Sequence, residues 1–191
     1  MAYAMASTSL TDRMIRAARL DVNLYEEVEA DTNATSQAML VVVMASLAGG
    51  IGTAIGAAMG GGRVGNPIGG FVVGVLMELL GWAVWSFVMY FVGTRLFKGT
   101  ATYGELLRTL GFAYSPSLLL VFRFIPVIGG LIAAAVFIWR IASGFIAIRQ
   151  ALDLDTGNAI ATVVVGFIGF VAVSAAIAVL LTPFGFVARY F

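Results

Sequence analysis

Cysteine and histidine are both missing from this 191-residue chain. Without cysteine there is no disulfide, no thiolate metal site and no cysteine nucleophile. Without histidine, zinc loses its other common ligand and a Ser-His-Asp triad cannot form. No metal, cofactor or catalytic residue is therefore expected, and the chain reads as a non-enzyme. Charge is scarce as well: Asp, Glu, Lys and Arg make up 11% of the residues, against about 25% in soluble domains. A net charge of +1 leaves no basic surface for nucleic acid, because phosphate binding needs clustered cations. Proline is limited to four residues, and with no Pro- or Ser-rich linker the spanning part reads as one domain.

What the chain has instead is apolar length, at 61% hydrophobic residues. A span needs about 20 apolar residues to cover roughly 30 Å of hydrocarbon. Five segments qualify as candidates: 37–59, 68–97, 104–124, 126–148 and 159–181. The third is the weakest, since its apolar part, Leu110 to Phe124, is short and carries Pro116. It reads as a kinked span or a re-entrant hairpin, because proline frees a carbonyl that lipid cannot satisfy. The expected fold is all-α, a polytopic bundle of about five transmembrane helices over residues 37–191, preceded by a charged head over residues 1–36. That head, with Arg13, Arg16 and Arg19 followed by acids, does not read as a removable secretory signal.

Positive residues are retained on the cytoplasmic side. Five spans put Arg13, Arg16, Arg19, Arg95, Lys98, Arg108 and Arg149 on one side, against Arg63, Arg123 and Arg189. That distribution places the N-terminus inside and the C-terminus on the opposite side of the cytoplasmic membrane. Four spans move Arg123 and Arg189 inside and Arg149 outside, eight against two, so either count places the N-terminus inside and the bias does not choose between them. The Asn33-Ala34-Thr35 sequon then falls on the inner side, where it carries no meaning.

Glycine recurs at intervals of four: Gly52, Gly56 and Gly60 in the first span, Gly70 and Gly74 in the second. Small residues at that spacing let helix backbones approach closely, the main packing device where lipid removes the hydrophobic driving force. Glu78 follows Gly74 on the same face, with Trp82 after it, and Arg140 shares a face with Ala133, Ser143, Gly144 and Ala147. Each charge costs about 2.5 to 3.5 kcal/mol at mid-helix if unpaired. Counting from the outer side, Glu78 lies roughly 15 Å deep and Arg140 roughly 21 Å, a gap that arginine bridges. The two are read as an intramembrane ion pair fixing bundle register. A proton or ion path through them is the alternative. Arg123, at a tight turn, is read as a snorkelling interfacial residue.

In the head, Ile15, Ala18, Val22 and Tyr25 fall on one helical face and the three arginines on another, the pattern of an interfacial amphipathic helix. Glu26, Glu27, Glu29 and Asp31 then reverse the sign. Arg13, Arg16, Arg19, Tyr25, Glu26 and Glu27 are the candidate partner- or lipid-binding residues. A lipid-acting enzyme would have only the carboxylates near Tyr25 to work with.

Several blocks resemble the Yip family, membrane proteins named for interaction with Ypt and Rab GTPases. They are Thr102-Tyr103-Gly104-Glu105-Leu106-Leu107, Gly111-Phe112-Ala113-Tyr114-Ser115-Pro116, Ile125-Pro126, and Trp139 ahead of Ile148. Their order and spacing are similar to the family's prokaryotic branch. Leu24-Tyr25 resembles the Leu-Tyr of its short N-terminal motif, but Glu26-Glu27 stand where eukaryotic members have Gly-Pro, so the resemblance does not carry GTPase binding onto these positions. It implies five spans, an inside N-terminus and a non-enzymatic membrane organiser. The expected partners are membrane lipids and other integral membrane proteins, or further copies of the chain.

Overall fold

A computed structural model of the chain describes residues 9–60 and 67–181, side chains of 67, 68 and 181 excepted. Arg63 and Arg189 lie outside the described residues. Among those described, every regular element is helical: α1 (Leu10–Ala18), α2 (Val22–Ala30), α3 (Ala34–Met59), α4 (Pro67–Leu96), α5 (Tyr103–Phe112), a 3₁₀ helix (Ser115–Phe124), α6 (Ile128–Ala151) and α7 (Thr156–Leu181). Four of them, α3, α4, α6 and α7, are long and apolar enough to cross a membrane.

The head is two helices rather than one. Leu20 takes a left-handed backbone with φ 61°, and Asp21 caps a new helix by accepting from the Asn23 amide at 3.0 Å. The break destroys the single apolar face expected from the sequence: Ile15 and Val22 are exposed, while Tyr25 is fully buried.

α5 starts on a capping box. Thr102 Oγ1 accepts from the Glu105 amide, and Glu105 Oε2 accepts from the Thr102 amide at 2.7 Å, which satisfies two donors that a helix start leaves open. Past Phe112 the chain tightens into the 3₁₀ helix, whose second residue is Pro116. This segment tracks α3. Gly111 lies against Ala38, Gly49 and Gly52 against Leu120, and Gly56 against Phe124. From 38 to 56, α3 rises about 27 Å, and from 111 to 124 about 1.5 Å per residue up to Ser115 and about 2.0 Å per residue through the 3₁₀ helix give about 24 Å. The stretched helix covers with fewer residues the depth that α3 covers with more.

The ends of α6 fix the remaining layout. Its C-terminal end meets the end of α4, where Leu152 O accepts from the Thr100 amide at 3.2 Å and Leu152 packs on Gly93. Its N-terminal end meets the 3₁₀ helix through Gly129, which sits on the backbone of Arg123. Gly129 tolerates that approach because it has no Cβ. α7 runs back along α4, with Gly166 against Met89 and Trp85 edge-on to Phe170 at 5.3 Å.

The core lies at one end of the bundle. Tyr25, Leu24 and Val28 of α2, Val41 and Val42 of α3, Met89 of α4, Leu106 and Phe112 of α5, and Ile148 and Leu152 around the end of α6 are essentially inaccessible. Large apolar side chains elsewhere point outward, among them Leu131, Phe137, Phe167 and Ile168, as lipid-facing positions do.

Candidate functional site

Two clusters of polar chemistry stand out, one where the head meets the bundle and one between α4 and α6.

In the first, the head's opposite charges turn toward each other. Arg13 is only 6% exposed and donates to Glu27 at 3.0 Å, Asp31 at 2.8 Å and Gln37 at 2.9 Å. Arg16 donates to Asp21 at 2.8 Å and Glu27 at 2.6 Å. The hydrogen bond to Asp21 holds Arg16 above its usual range, and the same bond holds Asp21 below the carboxylate range. Burial pulls the Asp31 carboxyl up, but the Arg13 hydrogen bond and the Asn33 amide outweigh it and keep it low. These contacts pin α1 and α2 to the start of α3.

Of the six head residues picked from the sequence, Arg13, Arg16 and Glu27 thus bind one another, and Tyr25 belongs to the core. Its phenol is buried beside the equally buried Ser143 hydroxyl, with no closed hydrogen bond at either oxygen, and burial pushes it above its ordinary range. Arg19 and Glu26 are exposed, Glu26 accepting from Gln150 Nε2 at 2.5 Å.

Three further contacts hold the head on the bundle. Trp139 Nε1 donates to Ala18 O at 2.8 Å. Arg108, 6% exposed, donates to Val28 O at 2.9 Å and Glu29 O at 2.5 Å, closing the C-terminal end of α2. Arginine suits that place, because helix ends leave carbonyls open and carry partial negative charge. Glu29 itself is left without help: its Oε2 is buried and unpartnered. Burial first, then repulsion from Glu105, Glu26 and Asp153, pushes its carboxyl up to about 7 despite Arg108. Sequence reasoning counted Arg108 only as an inner-side charge. The usable signal was an arginine inside a capped helix that is otherwise apolar around it, since such a side chain must find acceptors.

In the second cluster, Arg140 Nη1 lies 3.5 Å from Glu78 Oε1, and its guanidinium stacks 3.9 Å above the Tyr114 ring. The two side chains are 35% and 37% exposed, so the pair opens on one flank. The glycines beside it divide into two kinds. Gly52 and Gly56 are covered by the 3₁₀ helix, whereas a Cβ on Gly70 or Gly74 would meet nothing within 4 Å. Gly60 has only its own helix near it. Close-packed glycines that the spacing argument missed include Gly93, Gly111, Gly129 and Gly166, each facing one or two residues without a repeat to announce it.

Among the described residues no group of three or more acidic, cysteine or histidine side chains is placed to hold a metal ion. Neither a curated protein nor a solved structure matches the chain. A family model does: the Yip1 domain, over residues 23–184, which takes in α2, the capped α5, the 3₁₀ helix and all four long apolar helices. With most of its length matched in this way, the chain belongs to the Yip1 domain family, a family of membrane proteins that is generally non-enzymatic.

Proposed function

We propose that this protein is a non-enzymatic scaffold or adaptor of the cytoplasmic membrane, an accessory subunit that holds another integral membrane protein, or another copy of itself, against α4. The observation that carries this reading is the bare flank of that helix. Among the described residues a Cβ on Gly70 or Gly74 would meet nothing, and Glu78, on the same face, is paired to Arg140 yet over a third exposed. Exposed glycine gives lipid nothing to pack on, while it gives a second helix close approach. A covering helix also removes a charged pair from lipid, where such groups are costly.

We further infer five crossings with the head inside. The shared track of α3 and the 111–124 segment supports a full crossing by the latter, because the two cover nearly the same depth. Arg95, Lys98, Arg108 and Arg149 gather at the end where the head docks, in keeping with retention of positive charge on the cytoplasmic side. The exposed Ile15 of α1 and Arg19 just past its end suit contact with anionic lipid at that surface.

Purification in mild detergent followed by mass spectrometry tests the scaffold reading. A stable complex is expected, and Gly74→Leu is expected to dissolve it while leaving the chain folded. Recovery of lone chains from native membranes overturns the reading. The competing reading, an ion or proton path through Glu78 and Arg140, requires flux in proteoliposomes of the purified chain that Glu78→Gln abolishes.

A further inference from the structure

We propose that the junction between α2 and the bundle is a proton-controlled latch: Glu29 keeps the head on α5 and α6 while its carboxyl is protonated, and lets α2 lift away when ionised.

The geometry isolates this one carboxyl. Glu105 is closed into the capping box by the Thr102 amide at 2.7 Å. Glu26 accepts from Gln150 at 2.5 Å, and Asp153 accepts from Thr100 Oγ1 at 2.7 Å. Each of these three acids has a donor that favours its charged form. Glu29 Oε2, by contrast, is buried with no hydrogen-bond donor. The cation nearest to it among the described residues, Arg108, turns its Nε and Nη2 to the carbonyls of Val28 and Glu29. Neutral Glu29 is therefore the form that fits the docked head, in agreement with a carboxyl raised to about 7 by burial and by Glu105, Glu26 and Asp153.

The sign follows from proton linkage. Undocked, Glu29 returns to an ordinary value of 4.5. Between there and about 7 the docked form binds more protons, so docking weakens as pH rises through that window and is level above it. Asp21 and Asp31 do not titrate in the same range, being held below their usual values by hydrogen bonds from Arg16 and Arg13. The arginine network thus persists, and α1 and α2 move as one body about the Asp31–Ala34 connection. Lifting the head breaks the Trp139–Ala18, Gln150–Glu26 and Arg108 bonds and uncovers the apolar groove that held Leu24, Tyr25 and Val28.

Because the chain has no cysteine, spin labels can be placed only where wanted. Cysteines replacing the exposed Asn23 and Thr156 report the distance from head to α7 in nanodiscs by pulsed electron resonance. A single short distance is expected at about pH 5, and a growing longer population up to about pH 7 that stays constant beyond. Glu29→Gln is expected to stay short at every pH. Glu105→Gln, which keeps the capping box but removes one repelling charge, is expected to shift the transition toward acid. A wild-type distribution that does not change with pH, or a change that persists in Glu29→Gln, overturns the latch, as does an unmoved transition in Glu105→Gln.

Discussion

Glycine carries opposite meanings at different places in this chain, and the difference is which atoms stand where a Cβ would be. At Gly111 an added Cβ would come within 2.6 Å of the Ala38 Cβ and 3.1 Å of that residue's backbone. Backbone cannot yield, so α3 and α5 would have to part. Gly111→Val is expected to cost about 1 to 3 kcal/mol, the range for overpacking. Gly74→Ala is expected to leave the isolated chain at least as stable, since it meets nothing and gains helix propensity. Detergent-driven unfolding followed by circular dichroism compares the two, and equal losses would sink the distinction. Spacing alone could not have drawn it. The interval of four reads the same at Gly52 and Gly56 as at Gly70 and Gly74, whereas the presence of a neighbour depends on how distant segments pack.

Among the elements, the segment from Tyr103 to Phe124 shows why length in residues misleads. Its apolar part is too short for an α-helical span and holds a proline, so the sequence left a kinked span and a hairpin both open. The 3₁₀ geometry resolves the shortage by lengthening each residue's rise, and the cost is poorer hydrogen-bond geometry over a run longer than the usual three or four residues. Such a stretch needs a rigid template, and α3 supplies it by presenting Gly49, Gly52 and Gly56 along the contact. Gly52 is the tightest of the three, with the carbonyls of Leu120 and Val121 and the Arg123 side chain all crowding its missing Cβ. Gly52→Ala is expected to loosen this stretch. Amide exchange should rise over residues 115–124 and not over α7, and uniform protection would contradict the template role. The head illustrates a second limit of pattern reading. Helical periodicity continued through Leu20, but the backbone turned left-handed there, so Tyr25 entered the core while Val22 stayed outside.

At the scale of the whole molecule, composition and apolar run length were enough to identify a helical membrane protein, because lipid leaves few ways to satisfy backbone polar groups. The number of crossings was not legible, since the positive charges favour an inside N-terminus for four spans as well as for five. The chain's own lack of cysteine offers the test. Val127, in the turn between the 3₁₀ helix and α6, is 87% exposed, and Lys98 and Thr156 are exposed near the docked head's end. Single cysteines at these three places are to be probed in intact cells with a membrane-impermeant maleimide. Five crossings require Val127→Cys to react from outside and Lys98→Cys and Thr156→Cys to react only after permeabilisation. If the 104–124 segment turned back instead, Val127 would share a side with Lys98, and α6 would deliver Thr156 to the other. The two topologies therefore exchange the labels of Val127 and Thr156 while leaving Lys98 unchanged, so Lys98 serves as the internal reference and no mixture of poor labelling can imitate the swap.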